Sequence, residues 1–241
     1  MYRFYAPRSD FHEGRVTLAA DETHHLRDVL RQTAGDEVQV FDGEGNEYLC
    51  RIETLAKKET VLTIIENTTP ADSGSALDLT LAAAILQADK FELIIQKAVE
   101  LGVTTFVPLQ CIRCEVRVRD ADKKLLRWRR IALDAAKQCG RATNMIIGDI
   151  TSSVDFIGQR ETSDSLQILF AERAGERFET LESGQKIVAM IGPKGGWEES
   201  EMVEARSNGF KVLTLGGRIM RAETAAISIV AILQHRFGDL N

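Results

Sequence analysis

Hydrophobic and polar positions change rhythm between the first and second parts of the chain. Over the first stretch apolar residues alternate with polar ones in short runs, the period of half-buried strands. "DEVQVFDGEGNEYLCRIETL" reads as a hairpin, two alternating runs either side of a glycine-rich turn, and "TVLTIIEN" as another strand. One short helix interrupts them: "DETHHLRDVLRQ" sets Leu26, Val29 and Leu30 on one face behind a capping Asp21. The pattern predicts a small β-rich domain over residues 1–70.

"NTTPADSGSALD", residues 67–78, has too few apolar side chains to build a core and reads as a linker. After it the apolar runs become longer and alternate with helical patterns. "LDLTLAAAIL", "VTTFVPLQ", "LQILFAE", "KIVAMIG" and "KVLTLG" read as buried strands. "KFELIIQKAVELG", "KKLLRWRRIALDAAKQCG", "EESEMVEARSNG" and "ETAAISIVAILQHRF" read as helices, the first two stopped at Gly102 and Gly140. Such alternation predicts an α/β domain over 71–241, a parallel sheet with helices on both faces. Ligands are then expected at the carboxyl ends of its strands.

The 241 residues suffice for one large or two modest domains, and 44% hydrophobic with 27% charged residues is ordinary globular composition. No apolar run approaches the roughly 20 residues that span a bilayer. "MYRFYAPRSDF" lacks the apolar centre of a signal peptide, so a cytoplasmic protein with no membrane partner is expected. The net charge of −6 argues against a nucleic-acid partner until its distribution is read. Between Arg113 and Arg141 ten basic residues stand against four acidic ones, a local field able to neutralise phosphates or a solvated helix face.

Cys111 and Cys114 form a C-x-x-C, but neither Cys50 nor Cys139 belongs to a second pair that would close a zinc site. "QCIRCEVRVR" alternates like a strand, whereas a redox C-x-x-C normally opens a helix. Buried or incidental thiols are expected, and no metal. Two glycine turns carry more. "VAMIGPKGGWEESEM" and "LTLGGRIMRAETAAISIVAILQ" each break an apolar run into glycines and resume as a helix. Neither supplies the phosphate loop G-x-x-x-x-G-K-[ST] nor an early G-x-G-x-x-G. What remains is bare backbone at 192–196 and 216–217, able to hydrogen-bond an adenine edge or a ribose between apolar neighbours.

"IGPKGGWEESEM" and "LGGRIMRAETAAISIV" resemble the paired cofactor loops of the SPOUT methyltransferases, more closely those of the bacterial 16S ribosomal RNA (uracil-N3)-methyltransferases. "HHLRDVLRQTAGDEVQVFDGEGNEY" is similar to that family's PUA-like RNA-binding domain. "LQADKFELIIQKAVELGVTTFVPL", "RCEVR" and "KQCGR" resemble its central motifs. The resemblance implies a trefoil-knotted C-terminal domain, bound S-adenosylmethionine, a homodimer, and 16S rRNA within the small ribosomal subunit as substrate. It further implies cofactor contacts from Phe170 and Glu172 at one strand end, Ile191, Gly192 and Gly196 in the first loop, and Leu215, Gly216, Ile219 and Met220 in the second. Two departures stand out: Lys194 where the family usually has Glu, and Met220 where it usually has Leu. The second conserves volume; the first puts a cation near a sulfonium.

Methylating uridine at N3 requires loss of a proton from a weakly acidic nitrogen. Arginines aimed at the uracil oxygens would stabilise the resulting charge. Arg221 is the first candidate. Arg141 is the second, with a phosphate contact as its alternative, and Glu223 or a water is the proton acceptor. Arg113, Arg117, Arg127, Arg129 and Arg130, with Trp128, and Arg3, Arg8, Arg27 and Arg31 of the small domain are the expected RNA contacts. His24 and His25 read as structural or RNA-contacting. Two rival readings stand: a SPOUT enzyme with another RNA target, and a catalytically silent RNA-binding or ribosome-assembly protein.

Overall fold

The structure, a computed structural model, describes residues 1–70, 74–159, 165–173, 175–178 and 185–240. These divide into two compact units, Met1–Gly74 with Ala136–Asn144, and Ser75–Ala135 with Met145–Asn241. The expected domains met near residue 70; the described boundary differs in assigning 136–144 to the first unit. There Gly45 N donates to Ala142 O at 3.2 Å and Asn144 N to Gly43 O at 2.9 Å.

The first unit is a six-stranded sheet. Its strands are β1 (Arg3–Tyr5), β2 (Phe11–His12), β3 (Arg15–Leu18), β4 (Glu37–Phe41), β5 (Glu47–Leu55) and β6 (Thr60–Thr68), ordered β1-β4-β5-β6-β3-β2. Alternation does its expected work: Val16, Leu18, Val38, Val40, Tyr48, Cys50, Ile52 and Leu62 bury into one core with Phe4 and Leu26. The predicted hairpin is β4–β5, with Asp42 in its turn accepting from Glu44 N, Asn46 N and Asn46 Nδ2.

The predicted helix needs correction. Helix α1 spans Ala20–His24 with Ala19 at its N-cap, so Asp21 lies inside the first turn. A π-helical turn, His25–Val29, follows, with Leu30 N donating to His25 O at 3.0 Å. The wider turn breaks the 3.6-residue period. Leu26 is fully buried and Leu30 partly so, while Val29 is 60% exposed. Nearby, His24 pairs with Asp28 and His25 packs edge-on against Phe4.

The linker is shorter than its composition suggests. β6 runs through Thr68, residues 71–73 lie outside the described residues, and Leu77 is fully buried.

The second unit holds a parallel sheet: β7 (Asp78–Ala84), β8 (Thr105–Gln110), β9 (Ile146–Ile147), β10 (Thr151–Ser152), β11 (Leu166–Phe170), β12 (Glu176–Arg177), β13 (Lys186–Ile191) and β14 (Lys211–Thr214). The order is β10-β8-β7-β13-β11-β14-β12, with β9 also on β8. Its helices are α2 (Ala88–Glu100), α3 (Ala121–Cys139, of which 136–139 are grouped with the first unit), α4 (Ser153–Gly158), α5 (Glu199–Ser207) and α6 (Ala222–Phe237). Period-two geometry sorts the strand residues between two faces. Ala82, Ala84, Val107, Leu109, Val188 and Met190 join Phe156 and Ile157 of α4 and Ala205 of α5 in one core. Opposite-parity Phe106 instead meets Phe91 of α2, ring centroids 5.6 Å apart, and α2 packs on α6. Helices therefore cover both faces. The short β9, β10 and α4 were missed because two-residue strands and a six-residue helix carry too little periodicity.

"QCIRCEVRVR" is not a strand. β8 stops at Gln110, and a turn closed by Cys114 N donating to Cys111 O at 3.2 Å carries the chain off the sheet.

Candidate functional site

β11 lies between β13 and β14, all parallel, so their carboxyl ends share one edge. The loops leaving that edge wall a cavity of about 250 Å³. Phe170 and Glu172 line it after β11; Ile191, Gly192 and Gly196 after β13; Leu215, Gly216, Ile219 and Met220 after β14. All nine residues expected to contact a cofactor thus border one space. The tool that joins them is strand order, which places segments forty residues apart side by side.

The first loop is held rigidly. Gly196, at φ +72°, donates to Pro193 O at 2.9 Å. The Trp197 indole Nε1 donates to Phe170 O at 2.8 Å, and its ring fills the space beside Gly192. A Cβ on Gly192 would stand 2.9 Å from that nitrogen, so glycine is required there by the indole. From the other side Arg113 Nε meets Glu198 at 2.6 Å and its Nη1 reaches Gly195 O at 3.3 Å. Below, fully buried Glu201 accepts from Glu198 N at 2.9 Å, from Ile112 N at 3.2 Å and from the Ser153 hydroxyl. Glu201 escaped the sequence reading, although Glu198-x-x-Glu201 is a legible capping box.

The second loop is different. Gly216 and Gly217 take φ +71° and +74°, and a Cβ on either would meet nothing within 4 Å. Glycine serves the left-handed backbone there, not a close approach. Thr214 Oγ1 donates to Glu172 O at 3.2 Å and accepts from Gly216 N at 3.1 Å, tying this loop to the end of β11.

A second cavity, about 300 Å³, adjoins the first; Pro193, Lys194, Arg221 and Ala222 line both. Its remaining wall includes Gln87, Lys90, Glu115 and Glu223. Lys90 lies 3.6 Å from Glu223, and Lys194 lies 3.0 Å from Glu115. Arg221 therefore stands on the shared wall, and Glu223 sits beside it against an ammonium. Arg141, only 5% exposed and grouped with the first unit, lines neither cavity.

The expected RNA-contacting arginines separate by environment. Arg117, Arg127 and Arg130 line a groove along α3, together with Arg119, Lys123 and Lys124. Within it Arg127 is bidentate on Glu92, at 2.5 and 2.9 Å, and that hydrogen bonding lowers the Glu92 carboxyl below its usual range. Arg129 reaches Ile147 O at 3.5 Å, and Arg113 is committed to the first loop. Trp128 is a core ring, 2% exposed and 4.8 Å from Phe91, so it cannot present a face to a base. In the small unit Arg3 is mostly buried, bonded to Glu47 and Ala136 O over the Phe41 ring. Arg8 bonds Tyr48 Oη at 2.6 Å, and Arg27 is bidentate on Asp28. Arg31 is exposed, with a strained φ of +54°.

Cys50, Cys111 and Cys114 are buried free thiols and Cys139 is exposed. The hydrogen bond with Cys114, and then burial, raise the Cys111 thiol, while that bond lowers Cys114 to about 7. Burial alone pushes Cys50 up to about 12. Among the described residues no three His, Cys, Asp or Glu gather as metal ligands, and no helix is long and apolar enough to cross a membrane.

A family model described as an RNA methyltransferase domain matches residues 73–234, and one described as an RNA methyltransferase PUA domain matches 18–65. The chain belongs to the RNA methyltransferase family. Among relatives of this RNA methyltransferase is ribosomal RNA small subunit methyltransferase E of Mesomycoplasma hyopneumoniae, 31% identical over 95% of this chain and 97% of its own. The protein of that name from Aquifex aeolicus is 30% identical over 98% of this chain and 100% of its own. A crystal structure of the Neisseria gonorrhoeae protein of that name, bound to S-adenosyl methionine, superposes with a TM-score of 0.90 at 33% identity, covering 100% of both chains.

Proposed function

We propose that this RNA methyltransferase transfers the methyl group of S-adenosylmethionine to N3 of a uridine in the 16S rRNA of the small ribosomal subunit. The observation carrying the proposal is the convergence of the loops after β11, β13 and β14 on one cavity that opens beside a second, charged one. The first cavity suits the cofactor chemically. Ile191, Leu215, Ile219 and Met220 offer apolar walls to an adenine, and Glu172 offers a carboxylate to ribose hydroxyls. The open space above Gly216 and Gly217 leaves their backbone reachable. When bound, S-adenosylmethionine supplies an electrophilic methyl carbon on a cationic sulfur.

The chain's own residues then have three tasks. Arg221, on the wall common to both cavities, stabilises negative charge spreading over the uracil oxygens as the N3 proton leaves. Glu223, 3.6 Å from Lys90 and lining only the second cavity, takes that proton directly or through water. The loop clamps of Trp197 and Arg113 fix the cofactor wall so that alignment need not be bought at each turnover. The groove along α3 supplies cations for the flanking phosphates.

The same reading includes a knotted passage of the chain through the two glycine loops and a homodimer. Supporting the dimer, α6 buries Ala226, Ile229, Val230 and Leu233 yet leaves Ile227, Ala231 and Ile232 only half covered. Sedimentation at a series of concentrations is expected to give the dimer mass; a monomer throughout removes the dimer.

Nucleoside analysis of small-subunit rRNA from a strain lacking the protein tests the activity. Loss of one 3-methyluridine, restored by the wild-type gene, is expected. An unchanged nucleoside profile, or loss of a methyl group at another atom, overturns the N3 assignment.

A further inference from the structure

Lys194 occupies an unusual place between the two cavities. It lines both, yet its ammonium is drawn to Glu115, 3.0 Å away, and Glu115 lines only the second. The pair is a weak restraint: the side chains are 69% and 53% exposed, and an exposed ion pair is worth at most about 1 kcal/mol. The other lysine of the second cavity, Lys90, stands against Glu223. Arg221 reaches the same space from the opposite loop. An occupant of this cavity would therefore find two cations, Lys194 and Arg221, on the wall facing the cofactor side. Each comes from a different glycine loop.

Resting on the function proposed above, we propose that Lys194 is a further catalytic residue, an ammonium that leaves Glu115 to hold one carbonyl oxygen of the N3-deprotonated uracil while Arg221 holds the other. In that step the N3 proton passes to Glu223, directly or through water, its bonding pair stays on nitrogen, and the charge spreads to the two oxygens. Neutral uracil gains little from the ammonium; the anion gains much, because an opposite charge at about 4–6 Å moves an ionisation by roughly one to three units. Glu115 keeps the ammonium on the acceptor side, away from a cationic sulfur in the first cavity.

The test is the pH dependence of single-turnover methylation of unmodified small ribosomal subunits, with wild type, Lys194→Gln, Lys194→Arg and Glu115→Gln. With Lys194→Gln the rising limb should move about one unit to higher pH, with about a tenfold lower rate at neutral pH. Lys194→Arg should restore the profile. Glu115→Gln should move it the other way, since the ammonium is then unopposed. If Lys194→Gln and Glu115→Gln shift the profile in the same direction, the ion pair matters only as a strap between loops, and the proposal fails. An unchanged Lys194→Gln profile with weaker RNA binding makes Lys194 a phosphate contact and also overturns it.

A binding measurement gives a second readout. In 16S transcripts made with 5-fluorouridine, the fluorine acidifies N3–H, so wild-type protein should bind them more tightly at pH 8 than uridine transcripts. Lys194→Gln should lose most of that difference, and retention of the full difference counts against the proposal. Wild-type protein that methylates no uridine N3 overturns the parent function and this inference together. Normal wild-type transfer with an unmoved Lys194→Gln profile overturns this inference alone.

Discussion

The indole nitrogen of Trp197 donates to the carbonyl oxygen of Phe170 at 2.8 Å, and the same ring closes the space beside Gly192. One side chain thus fixes both the end of β11 and the first glycine of the neighbouring loop. Gly192→Ala would drive its Cβ to 2.9 Å from that nitrogen and is expected to reduce S-adenosylhomocysteine affinity by displacing the indole. Trp197→Phe should weaken binding too, by loss of the hydrogen bond. Because they share one space, the double variant should lose less than the two single losses combined, by about 1 kcal/mol. Calorimetry on the four proteins checks it; strict additivity would show that the contact does not govern the loop.

Gly216 should respond in the opposite sense. A Cβ there has room, so Gly216→Ala is expected to cost only the left-handed backbone strain, about 1–2 kcal/mol. Gly216→Asn should cost less than Ala, since Asn tolerates that conformation better. Thermal melts of the two variants decide it, and equal losses would mean that strain is not what selects glycine at this position.

Glu201 is fully buried with three donors around its carboxylate. Replacing it with Ala orphans the Ile112 N–H and the Ser153 hydroxyl together with the capping box. A loss of about 2–5 kcal/mol in urea unfolding is expected. Glu201→Gln retains the shape and one acceptor oxygen and should fall between. A loss below 1 kcal/mol for the alanine variant would contradict its place as the knot of hydrogen bonds under the first loop.

Arg221 and the α3 groove should separate in kinetics. Arg221→Ala is expected to lower turnover by about 10²-fold or more, with RNA affinity nearly unchanged. Neutralising Arg117, Arg119 and Arg130 together should weaken RNA binding and flatten its salt dependence, leaving the bound complex reactive. This set is preferred to one containing Arg127, which already holds Glu92, or Arg129, which does not line the groove. An Arg221→Ala protein that binds RNA poorly but reacts normally once bound would make Arg221 a positioning residue.

The sequence by itself determined the strands and long helices of the second unit, because buried parallel strands and amphipathic helices write distinct periods into the chain. It also showed the glycine turns at 192–196 and 216–217, since a glycine-rich strand end is a local feature, whereas Phe170 and Glu172 came only with the resemblance to a family. It misread the helix near Val29, where a π-turn breaks the period, and the strand expected through "QCIRCEVRVR", where β8 ends before the cysteines. What only the tertiary structure decided is which charges are already spoken for. Arg113 pairs with Glu198 and Arg3 with Glu47, while Trp128, expected beside the RNA, is buried against Phe91. Ion pairs and ring contacts join residues far apart in the chain, so no local pattern records them. Lys194 is the clearest case: its meaning depends on Glu115, and only the meeting of two loops at the end of the sheet brings that carboxylate to it.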